Sequence, residues 1–216
     1  MMKDRRNRSI TLQLIIANSI FFLAMLPITY RNPAWVDYIA LIPSKILSSE
    51  RLWTLVTSMF MHASIPHLFV NMMSLMFLGS SLERIIGRKR FAVFYIVSGI
   101  FSGLFFVASA FLFRQDLNIG AVGASGAIFG IAGMLAVLVP KLPVYIMFIP
   151  IAMHMWFAVI LLLLVLWIFS LVSGVPIGNT AHLGGLIIGF VYGFYLRTRY
   201  KRKVLMLNKF LLHRGF

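Results

Sequence analysis

A chain of 216 residues that is 61% hydrophobic and only 12% charged, with a mean hydropathy of +0.94, carries more apolar surface than a soluble core of that size can hide, which makes it an integral membrane protein. Its formal charge of +15 invites a nucleic-acid reading, but the basic residues alternate from loop to loop as membrane topology requires, so anionic membrane lipid and not nucleic acid is the expected partner. Cysteine is absent, which excludes disulfides and thiolate chemistry.

Residues 1–9 form a basic tail carrying Lys3, Arg5, Arg6 and Arg8. The apolar run from about 10 to 29 is the first span. ITYRNPAW follows it where a signal peptide would need a small-residue cleavage site, so a retained helix is expected. The longest connection runs from Tyr30 to Ser64. Within its ERLWTLVTSMFMHA, Leu52, Trp53, Leu55, Val56, Met59 and Phe60 recur at helical spacing and predict one amphipathic helix lying in the outer interface. Ser64 and Pro66 read as the N-cap and first-turn proline of the second span, 66 to 82. Further spans are expected at 91 to 113, 124 to 139, 150 to 172 and 182 to 196, and a second basic tail occupies 200 to 216. The expected fold is therefore an all-α bundle of six transmembrane helices in one domain, 10–199, with a membrane-associated loop between the first two. With the N-terminus inside, sixteen Lys and Arg lie on the cytoplasmic side against Arg31, Lys45, Arg51 and Arg114 outside. That asymmetry places both termini in the cytoplasm, and a prokaryotic cell membrane is the expected location.

Polar side chains within spans are functional hypotheses by default; here they are Asn18, His67, Asn71, Ser125, His154 and His182. At ~1.5 Å per residue, Ser125 lies ~24 Å above Lys141, His182 ~22 Å above Arg197, and His67 and Asn71 ~26 and ~20 Å above Arg84. Four of the six share one level on three helices. The fourth helix is too short to reach the outer edge, so Gly120 to Gly123 must dip inward as non-helical chain to meet Ser125. Gly126, Gly130 and Met134 form one ridge of that helix, and Ala181, Gly185, Gly189 and Gly193 form a ladder on the sixth. Small residues at that spacing let backbones approach closely in lipid; if the ridges face each other, Ser125 and His182 meet at their upper ends.

A serine hydroxyl becomes nucleophilic when a neighbouring imidazole takes its proton. No carboxylate sits at the right depth, so Ser125 and His182 form a dyad whose imidazole is oriented by packing. His67 and Asn71, i and i+4 on one helix face, can join the Ser125 amide as donors to a developing oxyanion.

With HLFVN at 67–71, GASG at 123–126 and AHLGGLIIG at 181–189, in that order on the second, fourth and sixth spans, the chain resembles the rhomboid family of intramembrane serine proteases in its minimal six-helix form. The resemblance implies Ser125 as nucleophile, His182 as general base and then acid, and His67 with Asn71 as oxyanion donors. Gly123, Gly126, Phe129 and Gly185 support them, and Trp53 and Glu83 are structural. It implies transmembrane protein substrates cut near the outer face, and neither cofactor nor metal. The fifth helix and the cap SGVPIGNT, Ser173 to Thr180, would form the substrate gate. Two departures stand out. Trp53 is followed by Thr54 where the family often has arginine, which leaves loop anchoring open, and Phe129 stands where some members have tyrosine, so stacking must hold His182.

Outside the matched motifs, His62 is expected to pack the loop against the site, His154 to lie near the inner end of the fifth helix, Asn18 to tie the first helix to its neighbours, and Trp156 and Trp167 to be interfacial anchors or lipid-facing bulk. A catalytically inactive rhomboid-like binder of transmembrane clients and a small transporter are the rival classes. The first should lack the serine or the histidine; the second should show paired charges or interrupted helices in two symmetric halves. A soluble-hydrolase GxSxG elbow is excluded because Ala127 replaces the final glycine.

Overall fold

The computed structural model describes residues 9–146, 151–174 and 178–213. Six helical rods build it: α1 (Ile10–Arg31), α5 (Ile65–Ser74) continuing through a π turn at Leu75–Gly79 into α6 (Ser80–Ile86), α7 (Arg88–Phe113), α8 (Ser125–Leu138), α9 (Met155–Ser173) and α10 (Asn179–Arg199). Among the described residues four rods are long and apolar enough to cross a membrane, namely α1, the continuous Ile65–Ile86 rod, α7 and α9. The other two form the centre. Every residue of α8 from Gly126 to Leu138 is buried, as expected of a helix that is apolar on all sides. α10 dilutes its apolar run with Asn179, Thr180, His182 and four glycines, because it faces protein along much of its length.

The two glycine ridges do face each other. A Cβ built on Gly185 would overlap the Gly126 carbonyl, one on Gly189 the Gly130 carbonyl, and one on Gly193 would press on Met134 and Val137. On its other flank α8 is equally tight, with Gly126 against Ser102 and Gly130 against Ser98 of α7. This close backbone packing fixes the height of Ser125, at the first position of α8, relative to His182 on α10.

The connection from 32 to 64 departs from expectation. In place of one amphipathic helix it holds three short ones, α2 (Trp35–Ile39), α3 (Pro43–Leu47) and α4 (Thr54–Thr57). Ser49 and Arg51 adopt left-handed φ values of 61° and 51°, which stop a helix from extending back from α4. Distant acceptors then claim the neighbouring side chains: Arg51 donates to the Asp37 carbonyl at 2.8 Å, Trp53 Nε1 to the Tyr38 carbonyl at 2.9 Å, and Thr57 to the Ile39 carbonyl at 3.2 Å. The Arg51 guanidinium also lies 4.3 Å from the Tyr38 ring centroid. The loop is thus anchored by Arg51, two residues before Trp53, rather than by an arginine after it. Amphipathicity survives, with Leu52, Trp53 and Val56 exposed and Met59 and Met61 buried.

At the opposite end of the bundle, Glu83 receives four hydrogen bonds from the start of α1: Ser9 Oγ at 2.8 Å, the Ile10 and Thr11 amides at 2.9 Å each, and Thr11 Oγ1 at 2.7 Å. One buried carboxylate therefore caps α1 and ties it to α6. Glu83→Gln should lower thermal stability in detergent by about 1–3 kcal/mol, because an amide NH₂ must face a donor and the charge that strengthens these bonds is gone. An unchanged melting curve would contradict this cap. Asn18 is fully buried but donates to the Leu14 carbonyl of its own helix at 2.8 Å.

One correction and one addition concern the same end. The fifth rod begins at Met155, not 150, because Pro143–Val144 (β1) pairs antiparallel with Met153–His154 (β2); His154 is thus an exposed residue ahead of the helix. The basic segment after 200 is largely helical, α11 (Lys201–His213).

Candidate active site

A cavity of about 700 Å³ opens at the end of the bundle that carries the 32–64 loop, with His67, Gly123, Ser125 and His182 in its wall. Ser125 and His182 meet there as the ridge geometry requires: His182 Nε2 lies 2.8 Å from Ser125 Oγ. The imidazole is buried and stacks on Phe129 with centroids 4.5 Å apart and planes 18° apart. Its Nδ1 has no hydrogen-bond partner among the described residues. Packing against the ring, not a carboxylate, sets its orientation.

Ser125 opens α8 behind Ala124, a cap residue that makes no side-chain hydrogen bond to the helix. The first bond of the helix runs from the Ile128 amide to the Ala124 carbonyl, so the amides of Ser125, Gly126 and Ala127 have no partner in the preceding turn, and the positive end of the helix lies at the serine. The preceding chain is non-helical, as expected. Ala121 bridges Leu41 through two backbone bonds, and the Gly123 amide donates to the Ser58 carbonyl at 2.8 Å. Gly123 has a φ of 123°, and a Cβ there would sit 2.9 Å from His67 Cε1 and 3.0 Å from Nε2. Only glycine fits both the backbone and the ring.

His67 sits in the first turn of α5, its amide capped by Ser64 Oγ. Its Nδ1 accepts from the Ala63 amide at 3.3 Å, which puts the ring proton on Nε2, the nitrogen beside Gly123 and the serine. Asn71 is buried one turn further along, and its Nδ2 donates to the His67 carbonyl at 2.9 Å. The structure therefore brings Ser125, His182, His67 and Gly123 together at the cavity, with Gly126, Gly185 and Phe129 packed behind them. The Asn71 amide is turned back onto its own helix.

Residues 49–199 match the family model described as the rhomboid domain. The chain belongs to the rhomboid family. Similar curated proteins include RHOMBOID-like protein 1 of Arabidopsis thaliana, 34% identical over 163 residues that cover 74% of this chain and 38% of the relative. Rhomboid protein 1, mitochondrial, of Saccharomyces cerevisiae is 31% identical over 145 residues, 66% of this chain and 41% of the relative. Inactive RHOMBOID-like protein 8 of Arabidopsis thaliana is 36% identical over 88 residues, 41% of this chain and 23% of the relative. The matched segment spans less than half the length of each of these three relatives.

Around the centre of this rhomboid lies a shell that the motifs only partly reveal. Ser102 Oγ donates to the Ala181 carbonyl at 2.7 Å, one residue before His182, and so ties α7 to α10 beside the Ser125–His182 contact. Ser98 and Ser102, with Gly99 and Gly103, make a small-residue face in the apolar α7. That i, i+4 serine pair is the signal by which sequence reading could have found them. Trp167 of α9 lines the cavity. His62 is 1% exposed, its ring 5.2 Å from that of His67 and edge-on to Phe22 of α1.

Burial, with the nearby His67 adding to it, pushes the His62 imidazole from its ordinary 6.5 down to about 4. A histidine buried in its neutral form contributes its full stability above about pH 6.5, and that share is lost as pH falls toward 4, because the unfolded chain binds the proton more readily. Unfolding in detergent followed across that window should show wild-type stability declining with acid and the decline shallower in His62→Phe. Parallel pH curves would show that His62 does not titrate in this way.

Proposed function

We propose that this rhomboid is an intramembrane serine endopeptidase that hydrolyses peptide bonds of transmembrane proteins by a Ser125–His182 dyad. The observation that carries the proposal is the 2.8 Å contact between His182 Nε2 and Ser125 Oγ at the mouth of a helix with free amides. His182 takes the hydroxyl proton as Oγ bonds to the scissile carbonyl carbon. The Ser125 amide and His67 Nε2–H stabilise the oxyanion, and Asn71 joins them when its amide leaves the His67 carbonyl. The imidazolium gives its proton to the departing amine. Water, deprotonated by the same imidazole, then cleaves the acyl-enzyme and regenerates Ser125.

In this reading all six rods cross the membrane, residues 10–199 are the catalytic unit, and the basic segments 1–9 and 200–216 lie in the cytoplasm, an orientation that rests on the charge asymmetry. The relatives named above are plant and yeast proteins and lend a prokaryotic location no support. Substrate arrives from lipid past α9, whose Trp167, Ser170 and Leu171 form one cavity wall. Of the cap that leads from α9 to α10, residues 175–177 lie outside the described residues. The test is to incubate the purified protein with a single-span substrate and map the products: a discrete cut near the outer face, absent with Ser125→Ala, is expected. Intact substrate captured equally by both proteins would favour the client-binding alternative, which the inactive relative keeps in view.

A further inference from the structure

The helix after α10 is a basic tail only by composition; by contacts it is part of the bundle. Val204 and Leu207 of α11 pack on the core, and Asn208 Nδ2 donates to the Leu138 carbonyl at 2.8 Å. Leu138 ends α8, where carbonyls lack partners within the helix. Arg197 from the end of α10 donates to the adjacent Val137 carbonyl at 3.2 Å. Two side chains from 197–208 thus hold the far end of the helix that begins with Ser125.

The outward surface of α11 is of another kind. Lys201, Arg202 and Lys203 are exposed alongside Leu205, Met206 and Phe210, with Met206 at 68%. Cations interleaved with exposed apolar side chains suit neither water nor hydrocarbon, but they match the boundary where headgroups meet acyl chains. More positive charge stands close by. Arg90 of α7 and Lys203 both lie over the Tyr200 ring, at 5.4 and 5.8 Å, and Arg90 also bonds the Tyr200 hydroxyl at 3.2 Å. Among the described residues Glu83 is the one carboxylate at this end, and it is engaged by α1 and by Arg88. Among the described residues, therefore, no free carboxylate balances the cluster.

We propose that α11 is a lipid-dependent clamp: anionic headgroups of the adjoining bilayer surface bind its exposed face, and the helix so held keeps Asn208 on the Leu138 carbonyl and α8 in its catalytic position. The clamp's effect on turnover rests on the protease reading above; its contact with lipid does not. Since the chain has no native cysteine, an environment-sensitive fluorophore on Met206→Cys reports the contact directly in the full-length protein.

In phosphatidylcholine vesicles containing one third phosphatidylglycerol, relative to phosphatidylcholine alone, the probe emission should shift to the blue and substrate turnover should rise about 3- to 10-fold. Replacing Lys201, Arg202 and Lys203 together by Gln should remove both effects. Asn208→Ala should keep the emission shift and lose the rise in turnover. No shift on adding phosphatidylglycerol, an undiminished response in the triple variant, or the same response to inorganic phosphate with neutral vesicles would overturn the headgroup contact. A normal shift with turnover indifferent to lipid would overturn the clamp. A normal shift with no proteolysis in any lipid would instead sink the protease reading.

Discussion

A fluorophosphonate is expected to label this protein in detergent at Ser125, with no labelling in Ser125→Ala and labelling slowed on the order of 10²- to 10⁴-fold in His182→Ala. Such phosphorus centres react with activated hydroxyls and pass over ordinary serines. Ser125 is the serine placed 2.8 Å from a buried imidazole nitrogen. By contrast, Ser102 is engaged with the Ala181 carbonyl, and Ser98 is fully buried against Gly130. The His182 variant is the more informative of the two. With Phe129 stacked on the ring and, among the described residues, no partner at its Nδ1, the proposed base is the imidazole alone, so its removal should cost the whole general-base contribution while the helix amides remain. Equal labelling of wild type and Ser125→Ala would end the nucleophile assignment. An unlabelled wild type that still binds transmembrane segments would favour the client-binding reading.

The meeting of Ser125 and His182 was legible in the sequence because lipid makes such residues conspicuous. Histidines, an asparagine and a serine at one depth in apolar helices require an explanation, and a ladder of small residues every fourth position has little use except close backbone contact. The 32–64 loop was not legible in detail. Its three short helices are set by Arg51, Trp53 and Thr57 reaching carbonyls 14 to 18 residues earlier, and periodicity within a window cannot see such partners. The start of α9 was misjudged for a related reason: β1 and β2 pair across intervening chain and consume residues that read as helix. The backbone capping by Glu83 depends on two segments more than 70 residues apart. Asn71 illustrates a different limit, since one face of a helix can be inferred from spacing, but whether its amide points to the cavity or back to the His67 carbonyl is decided by side-chain torsion.

Gly185→Val should reduce turnover about 100-fold or more while leaving a folded protein, and it separates the dyad chemistry from the packing that aligns it. A Cβ at Gly185 would meet the Gly126 carbonyl, the Gly126 carbonyl carbon at 3.0 Å and the Gly130 amide at 3.2 Å. All three are backbone atoms, so no rotamer change can relieve the overlap; α8 and α10 must move apart. Overpacking of this kind costs about 1–3 kcal/mol, within what a bundle held by Glu83, the loop anchors and its many buried contacts can absorb. The rate is less forgiving. Gly126 is bonded to Ser125, and Gly185 lies one turn below His182, so the separation appears directly in the 2.8 Å contact, and a misplacement near 1 Å costs on the order of 10²-fold. Gly193→Ala provides the control on the same seam. Its Cβ would lie 3.0 Å from Val137 Cβ and 3.3 Å from Met134 Cα, two turns further from the dyad, so it should lower thermal stability measurably yet keep turnover within a few-fold of wild type. Both variants should be compared by melting temperature and by cleavage of one substrate in one detergent. Wild-type turnover in Gly185→Val would show that the α8–α10 glycine seam does not set the distance between base and nucleophile, whereas an equal loss of turnover in Gly193→Ala would show that activity follows overall stability rather than the geometry at Ser125.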